Sequence, residues 1–262
     1  MKRIRVCSHD RSPSWMSGLD SVHAAGRASR GHAFARDGPR RARRRPAPTI
    51  GTGRPAVNPD KGRRGVPTDY LRGSDPRLGA VIERVGACAM RPRGQIYQSL
   101  FRSVLYQQLA GNAAAAIERR VKALFGGVTP APAAFLGASA EALRGAGLSR
   151  QKQAYLRDLA AHFADGRLEA RRLARLPDDD LISAVTTVHG IGEWTAHMLL
   201  IFSLGRADVL PVGDYGVRKG MQRLYRLRDL PKRDKMERIA APWRPYRSIA
   251  AWYLWRSLDE TD

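Results

Sequence analysis

Cysteine is nearly missing from this chain. Cys7 and Cys88 are the only two in 262 residues, too few and too far apart for a disulfide framework, a four-ligand zinc site or an iron–sulfur cluster. No run of about 18 apolar residues is present, so no membrane span is expected, and the N-terminus lacks the apolar core of a signal peptide. These shortages lead to the expectation of an intracellular, cytoplasmic chain without a membrane partner. The six histidines, His9, His23, His32, His162, His189 and His197, form no His-Glu-x-x-His pair. A Gly-x-Ser-x-Gly elbow and a phosphate loop ending in Gly-Lys-Ser/Thr are also missing, which sets aside several hydrolase and nucleotide-binding classes. Almost nothing has the alternation of a strand, so the fold class is expected to be all-α.

What the chain has in excess is positive charge, a formal +22. Residues 1–65 hold 16 Lys/Arg against 4 Asp/Glu, and the other +10 belongs to residues 66–262. Charge of that sign on both parts suits a polyanionic partner through counterion release and steering, although a basic solvated surface has the same composition. Residues 1–65 are rich in Arg, Gly, Pro and Ser with no sustained period, and they read as a disordered extension: either a basic arm that holds nucleic acid loosely or a segment with no role. Residues 66–262 read as one helical domain.

The first helical pattern begins at Asp75-Pro76, an N-cap and N1 pair, with Leu78, Val81, Ile82 and Val85 at helical spacing. Residues 95–125 read as helix on both sides of Gln107-Gln108-Leu109-Ala110-Gly111-Asn112, a polar corner that projects Gln108 and Leu109 from between two helices. A helix from about Ser139 stops at Gly145 to Gly147. Ser149 caps the next, with Ala154, Leu156, Leu159 and Phe163 as its buried stripe. Asp178, Asp179 and Asp180 open another, where carboxylates complement the helix dipole more simply than they hold a metal. Three more helices are expected, to about Leu227, over Pro231 to Ala240 and over Tyr246 to Leu258.

Between these lies Val188-His189-Gly190-Ile191-Gly192, a tight turn whose two glycines can take positive φ, followed from Glu193 by the apolar period of a buried helix. Backbone N–H groups at such a helix start suit a phosphate. Gly-x-Gly alone is an ordinary helix corner as readily as a binding site. The longer string is more specific: Gly190-Ile191-Gly192-x-Trp194-Thr195-Ala196, then 18 residues between Trp194 and Gly213-Asp214-Tyr215. It resembles the helix-hairpin-helix (HhH-GPD) DNA glycosylase superfamily, and most closely the DNA-3-methyladenine glycosylase II family. Gly147-Leu148-Ser149-x-x-Lys152 and Trp243-Arg244-Pro245-Tyr246-Arg247-Ser248-x6-Trp255 fit the same family.

The resemblance implies two helical lobes with the active-site cleft between them, and a monofunctional hydrolase that flips alkylated bases of the 3-methyladenine type out of double-stranded DNA. Asp214, which by itself reads as a simple N-cap, becomes the catalytic carboxylate beside C1′, stabilising an oxocarbenium-like transition state. Trp194, Tyr215 and Trp255 become the base pocket, where electron-rich rings attract a cationic N-alkylated purine; Trp252 reads as pocket or core. Gln108 and Leu109 become the minor-groove wedge, and His189, Gly190, Ile191, Gly192 and Thr195 the rest of the DNA contact. Backbone carbonyls of Thr186, Val188 and Ile191 are implied to bind a monovalent cation, Na+ or K+. No cofactor is implied for catalysis. Superfamily members that also cut the strand place a lysine where this chain has Trp194, so no lyase activity is expected, and Lys152 is expected to face solvent or a phosphate. A monomer is expected. The alternatives are a non-catalytic hairpin DNA-binding protein and a glycosylase for oxidised or deaminated bases.

Overall fold

In the computed structural model, residues 66–259 are described, and every regular element among them is helical. The reading of residues 1–65 lies outside the described residues. The chain enters through α1 (Val66–Ser74), which sequence periodicity missed because Leu71 is its one buried residue. Then α2 (Pro76–Val85) starts as expected. Asp75 Oδ1 accepts the N–H groups of Arg77 and Leu78 at 3.1 and 3.2 Å, and Pro76 occupies a position where no N–H is needed.

The expected corner separates α3 (Ile96–Tyr106) from α4 (Gly111–Ala123). Two short helices, α5 (Pro132–Gly137) and α6 (Ala140–Gly145), precede α7 (Arg150–Ala164). The Ser149 hydroxyl caps α7 by accepting the Lys152 N–H at 3.2 Å. Its inward face is Gln153, Leu156, Leu159, Ala160 and His162, so the expected stripe is corrected at two places: Ala154 is exposed and Phe163 half-buried. After α8 (Ala170–Leu173) and α9 (Asp178–Val185), α10 (Glu193–Met198) continues into a π-helical turn, Leu199–Ser203. Next come α11 (Tyr215–Leu224), shorter than expected, and α12 (Arg233–Ala240) with a 3₁₀ turn at Ala241–Trp243. Last is α13 (Arg247–Asp259).

Two packing groups result. In one, α7 lies across α3, α5 and α6 while α3 packs on α4. Its aromatic contacts include Phe101 edge-on to Phe135 at 5.1 Å and Tyr97 edge-on to Phe163 at 5.1 Å. In the other, α13 is buried from Ser248 to Trp255 against α1, α2 and α11, so the start of the described chain packs with its end. Asp75 pins that closure: its Oδ2 accepts the Tyr225 hydroxyl and the Trp243 indole N–H, the latter at 2.9 Å. A carboxylate that is 8% exposed is tolerated there because each oxygen has donors. α10 packs on α9 and the π turn on α3, while Phe202 of that turn meets Trp255 of α13. Among the described residues no helix is long and apolar enough to cross a membrane.

Candidate active site

Asp214 ends a turn in which its N–H bonds the Pro211 carbonyl at 2.9 Å, and it caps α11 by accepting the Val217 N–H on Oδ1 at 2.8 Å. Capping is therefore real, yet it is only part of what this carboxylate does. The Trp255 indole N–H, from α13, donates to Oδ1 at 2.8 Å, and the Trp194 indole N–H, from α10, donates to Oδ2 at 2.7 Å. The residue is 3% exposed. Two charge-assisted bonds from indoles, one from the backbone and the positive end of α11 offset the cost of burying it. An ionised carboxylate offers about four lone-pair sites. Three are used, two of them on Oδ1, so the remaining one lies on Oδ2.

Trp255 has no exposed surface, so what it offers is its N–H to Asp214 rather than a face to solvent. Phe202 backs it, with ring centroids 5.5 Å apart. Trp194 is half-buried, and Tyr215 stands 52% exposed at the rim. Trp252 is 7% exposed and belongs to the core. The approach of Trp255 depends on a residue that sequence reasoning passed over. A Cβ on Gly216 would lie 2.7 Å from Trp255 Cδ1, 3.0 Å from its Nε1 and 3.2 Å from Asp214 Oδ1. One turn on, a Cβ on Gly220 would lie 2.9 Å from Leu254 Cβ and 3.0 Å from the Leu254 carbonyl. Two glycines four apart on one helix were the available signal, since that spacing lets α13 pack directly on the α11 backbone.

The hairpin, residues 186–192, joins α9 to α10. Of the two glycines that can take positive φ, Gly190 does so, at φ +85, whereas Gly192 is an extended N-cap at φ −106. Gly190 is also sterically required, because a Cβ there would sit 2.5 Å from Tyr155 Cγ. Asp158, another residue the sequence did not single out, accepts the His189 N–H at 2.7 Å. His189 itself is exposed. Ile191 and Thr195 are each 4% exposed, so their side chains belong to the core and contribute no side-chain contact to a phosphate. Val188 O accepts the Ile191 N–H at 3.1 Å. His197 is buried with Nε2 at 3.8 Å from Glu193, and burial pushes its imidazolium down from the usual range. No cluster of three or more His, Cys, Asp or Glu suited to a metal occurs among the described residues.

At the corner, Gln108 is exposed with φ +57, a left-handed conformation uncommon for a residue with a Cβ. Leu109 is half-buried. Their neighbour Gln107 donates its amide N–H to the Gly190 carbonyl at 2.9 Å, joining corner and hairpin. Lys152, expected to face solvent or a phosphate, is half-buried: its ammonium bonds the Leu105 carbonyl at the end of α3, and burial pushes its pKa down. On the hairpin's flank an open cup of about 700 Å³ is lined by Ala154, Asp158, His162, Arg167, Thr187 and His189; neither Asp214 nor a tryptophan reaches it.

The sequence pattern of the HhH-GPD superfamily base excision DNA repair proteins matches residues 101–245. DNA-3-methyladenine glycosylase 1 of Schizosaccharomyces pombe is 35% identical over 195 residues, which are 72% of this chain and 85% of that protein. A Schizosaccharomyces pombe 3-methyladenine DNA glycosylase solved in complex with abasic DNA superposes with a TM-score of 0.66 at 33% identity, covering 74% of this chain and 97% of the other. A DNA-3-methyladenine glycosidase from Bacillus halodurans gives a TM-score of 0.68 at 36% identity, with 75% and 90% covered.

Proposed function

The chain belongs to the HhH-GPD superfamily of base excision DNA repair proteins, and from that premise we propose that it is a monofunctional DNA glycosylase that removes alkylated bases of the 3-methyladenine type. The observation that carries this reading is the Asp214 carboxylate, held by two indole N–H groups and a helix start with one lone-pair direction left over. A module that only binds DNA gains nothing from a fixed carboxylate, which repels phosphate.

Flipping delivers the damaged nucleotide to the rim, where Tyr215 and the half-buried face of Trp194 meet a cationic purine. The C1′–N bond then breaks with its electron pair leaving on the base, which becomes neutral. Positive charge develops at C1′ and O4′ of the sugar, facing Asp214 Oδ2. Water adds to C1′ and loses a proton to solvent, giving free base and an abasic sugar. Because an alkylated purine leaves as a neutral molecule, no general acid is needed, and the site needs to supply only a placed negative charge and a placed water. With Trp194 where an amine nucleophile would stand, and Lys152 held at the Leu105 carbonyl, the product strand stays intact.

The hairpin carbonyls of Thr186, Val188 and Ile191 are neutral oxygen donors without a carboxylate, a set that suits Na+ or K+ better than a divalent ion. Such an ion would add positive charge where the hairpin amides meet a DNA phosphate. The enzyme is read as a cytoplasmic monomer acting on double-stranded DNA. Release of free base from methylated duplex by the purified protein tests the reading directly. A protein that binds this duplex yet releases nothing from it, while retaining its fold, would leave the DNA-binding alternative standing.

A further inference from the structure

The two segments read above as DNA contacts, the corner at residues 107–110 and the hairpin at residues 186–192, are far apart in sequence yet joined directly. The Gln107 side chain donates to the Gly190 carbonyl at 2.9 Å, and its own N–H is fixed to Ser103 O at the end of α3. Both segments also rest on one face of α7, where three residues at successive spacings of three each hold one of them. Lys152 bonds the Leu105 carbonyl, the Tyr155 ring fills the space beside Gly190, and Asp158 holds the His189 N–H at 2.7 Å. Local support within the corner is thin by comparison: the Leu109 N–H reaches the Tyr106 carbonyl at 3.4 Å, and Gln108 holds a left-handed φ.

A wedge is useful only at a depth fixed relative to the point where the backbone is gripped. A corner free to move would let the hairpin hold a strand without filling the gap left by the flipped base. Resting on the glycosylase reading, we propose that Gln107 is a positioning residue that couples the corner to the hairpin, so that insertion of Gln108 and Leu109 and the hairpin's hold on the backbone act as a unit. Gln107 need not touch DNA for this; its amide sets the distance between two elements that do.

The test compares affinity for a duplex containing an abasic-site analogue with affinity for the same duplex undamaged. Gln107→Met keeps the side chain's length and removes its donor, while Gln107→Asn keeps a donor that is too short to reach. Each should lower the preference for the abasic duplex about five-fold, within the range of a lost neutral hydrogen bond. Leu109→Ala should lower it as well, and the Gln107→Met/Leu109→Ala double variant should fall no further than Leu109→Ala alone, because without a wedge there is nothing to couple. A merely structural role would lower the melting temperature, or weaken both duplexes equally, with the preference unchanged. An unchanged preference in both Gln107 variants, or additive losses in the double variant, would overturn the coupling. If the wild-type protein releases methylated bases and prefers the abasic duplex while the variants behave like it, only this inference falls. If the wild type releases no base from methylated duplex, the glycosylase reading falls; if it releases base but does not prefer the abasic duplex, the coupling alone falls.

Discussion

Gly216→Ala adds a single methyl group at the tightest point behind the candidate catalytic carboxylate. The added carbon would start 2.7 Å from Trp255 Cδ1 and 3.0 Å from its Nε1, and ordinary contact begins near 3.4 Å. Trp255 is fully buried against Phe202, so the indole has no open space to retreat into. Either it or the start of α11 must shift, by about 1 Å once neighbours adjust. The overpacking costs about 1–3 kcal/mol, and the better helix propensity of Ala returns roughly 0.5–1 kcal/mol. The net loss, at most about 2.5 kcal/mol, corresponds to a fall in Tm of up to roughly 10 °C for a domain of this size. The larger effect falls on the reaction. A misplacement of about 1 Å between a catalytic group and the reacting atom costs on the order of 10²-fold, so single-turnover base release should slow by about 10- to 10²-fold while DNA affinity stays near wild type. Gly220→Ala is the matched control, because its Cβ would press on Leu254 at 2.9 Å, a similar insult one turn from the carboxylate. It should lose comparable stability and keep its rate per folded molecule. Wild-type turnover in Gly216→Ala, or equal slowing in both variants, would refute the argument that this gap positions Asp214.

Asp214→Asn should retain DNA affinity and lose at least about 10²-fold in base release, since it removes the negative charge facing the developing cation; near wild-type turnover would take Asp214 out of the mechanism. Gly190→Ala meets both a φ of +85 and the Tyr155 ring. It should weaken binding to every duplex by about ten-fold or more, as a hairpin held out of shape must; an equilibrium titration with wild-type affinity would count against the hairpin as a grip. Removing residues 1–65 takes away +12 of the net charge. Non-specific affinity should fall most at low salt and its salt dependence should become shallower, whereas an unchanged slope would show that the segment does not touch DNA. Borohydride reduction during turnover on methylated duplex should trap no protein–DNA adduct and leave alkali-labile, unbroken strands; an adduct mapped to any lysine would end the monofunctional assignment.

Local chemistry made some of this protein legible in advance. Asp75-Pro76, Ser149 and Asp214 each carry a helix start in two or three adjacent residues, because capping satisfies N–H groups within the same turn. The corner at 107–112 announced itself as a break between two apolar patterns, and the Gly190-to-Asp214 string pointed to its family because its spacing sets how far a helix start lies from a capped turn. Those features depend on neighbours in sequence, and sequence is enough to show them. α1 stayed hidden since its one buried residue, Leu71, gains meaning only when α1 packs against α2 and α13.

Tertiary structure alone decided which atoms meet. That Trp194 and Trp255 face each other across one carboxylate follows from how α10, α11 and α13 converge, and nothing in a linear pattern states that their N–H groups point to it. Ile191 and Thr195 looked like hairpin contacts until packing buried their side chains. Lys152 looked like a surface cation until the end of α3 supplied an unpaired carbonyl. The roles of Gln107, Asp158 and Gly216 were not legible, because a hydrogen bond across 83 residues or a gap of one methyl group is a property of two elements brought together. Periodicity specifies which face of a helix turns inward; only the packed core specifies what that face finds there.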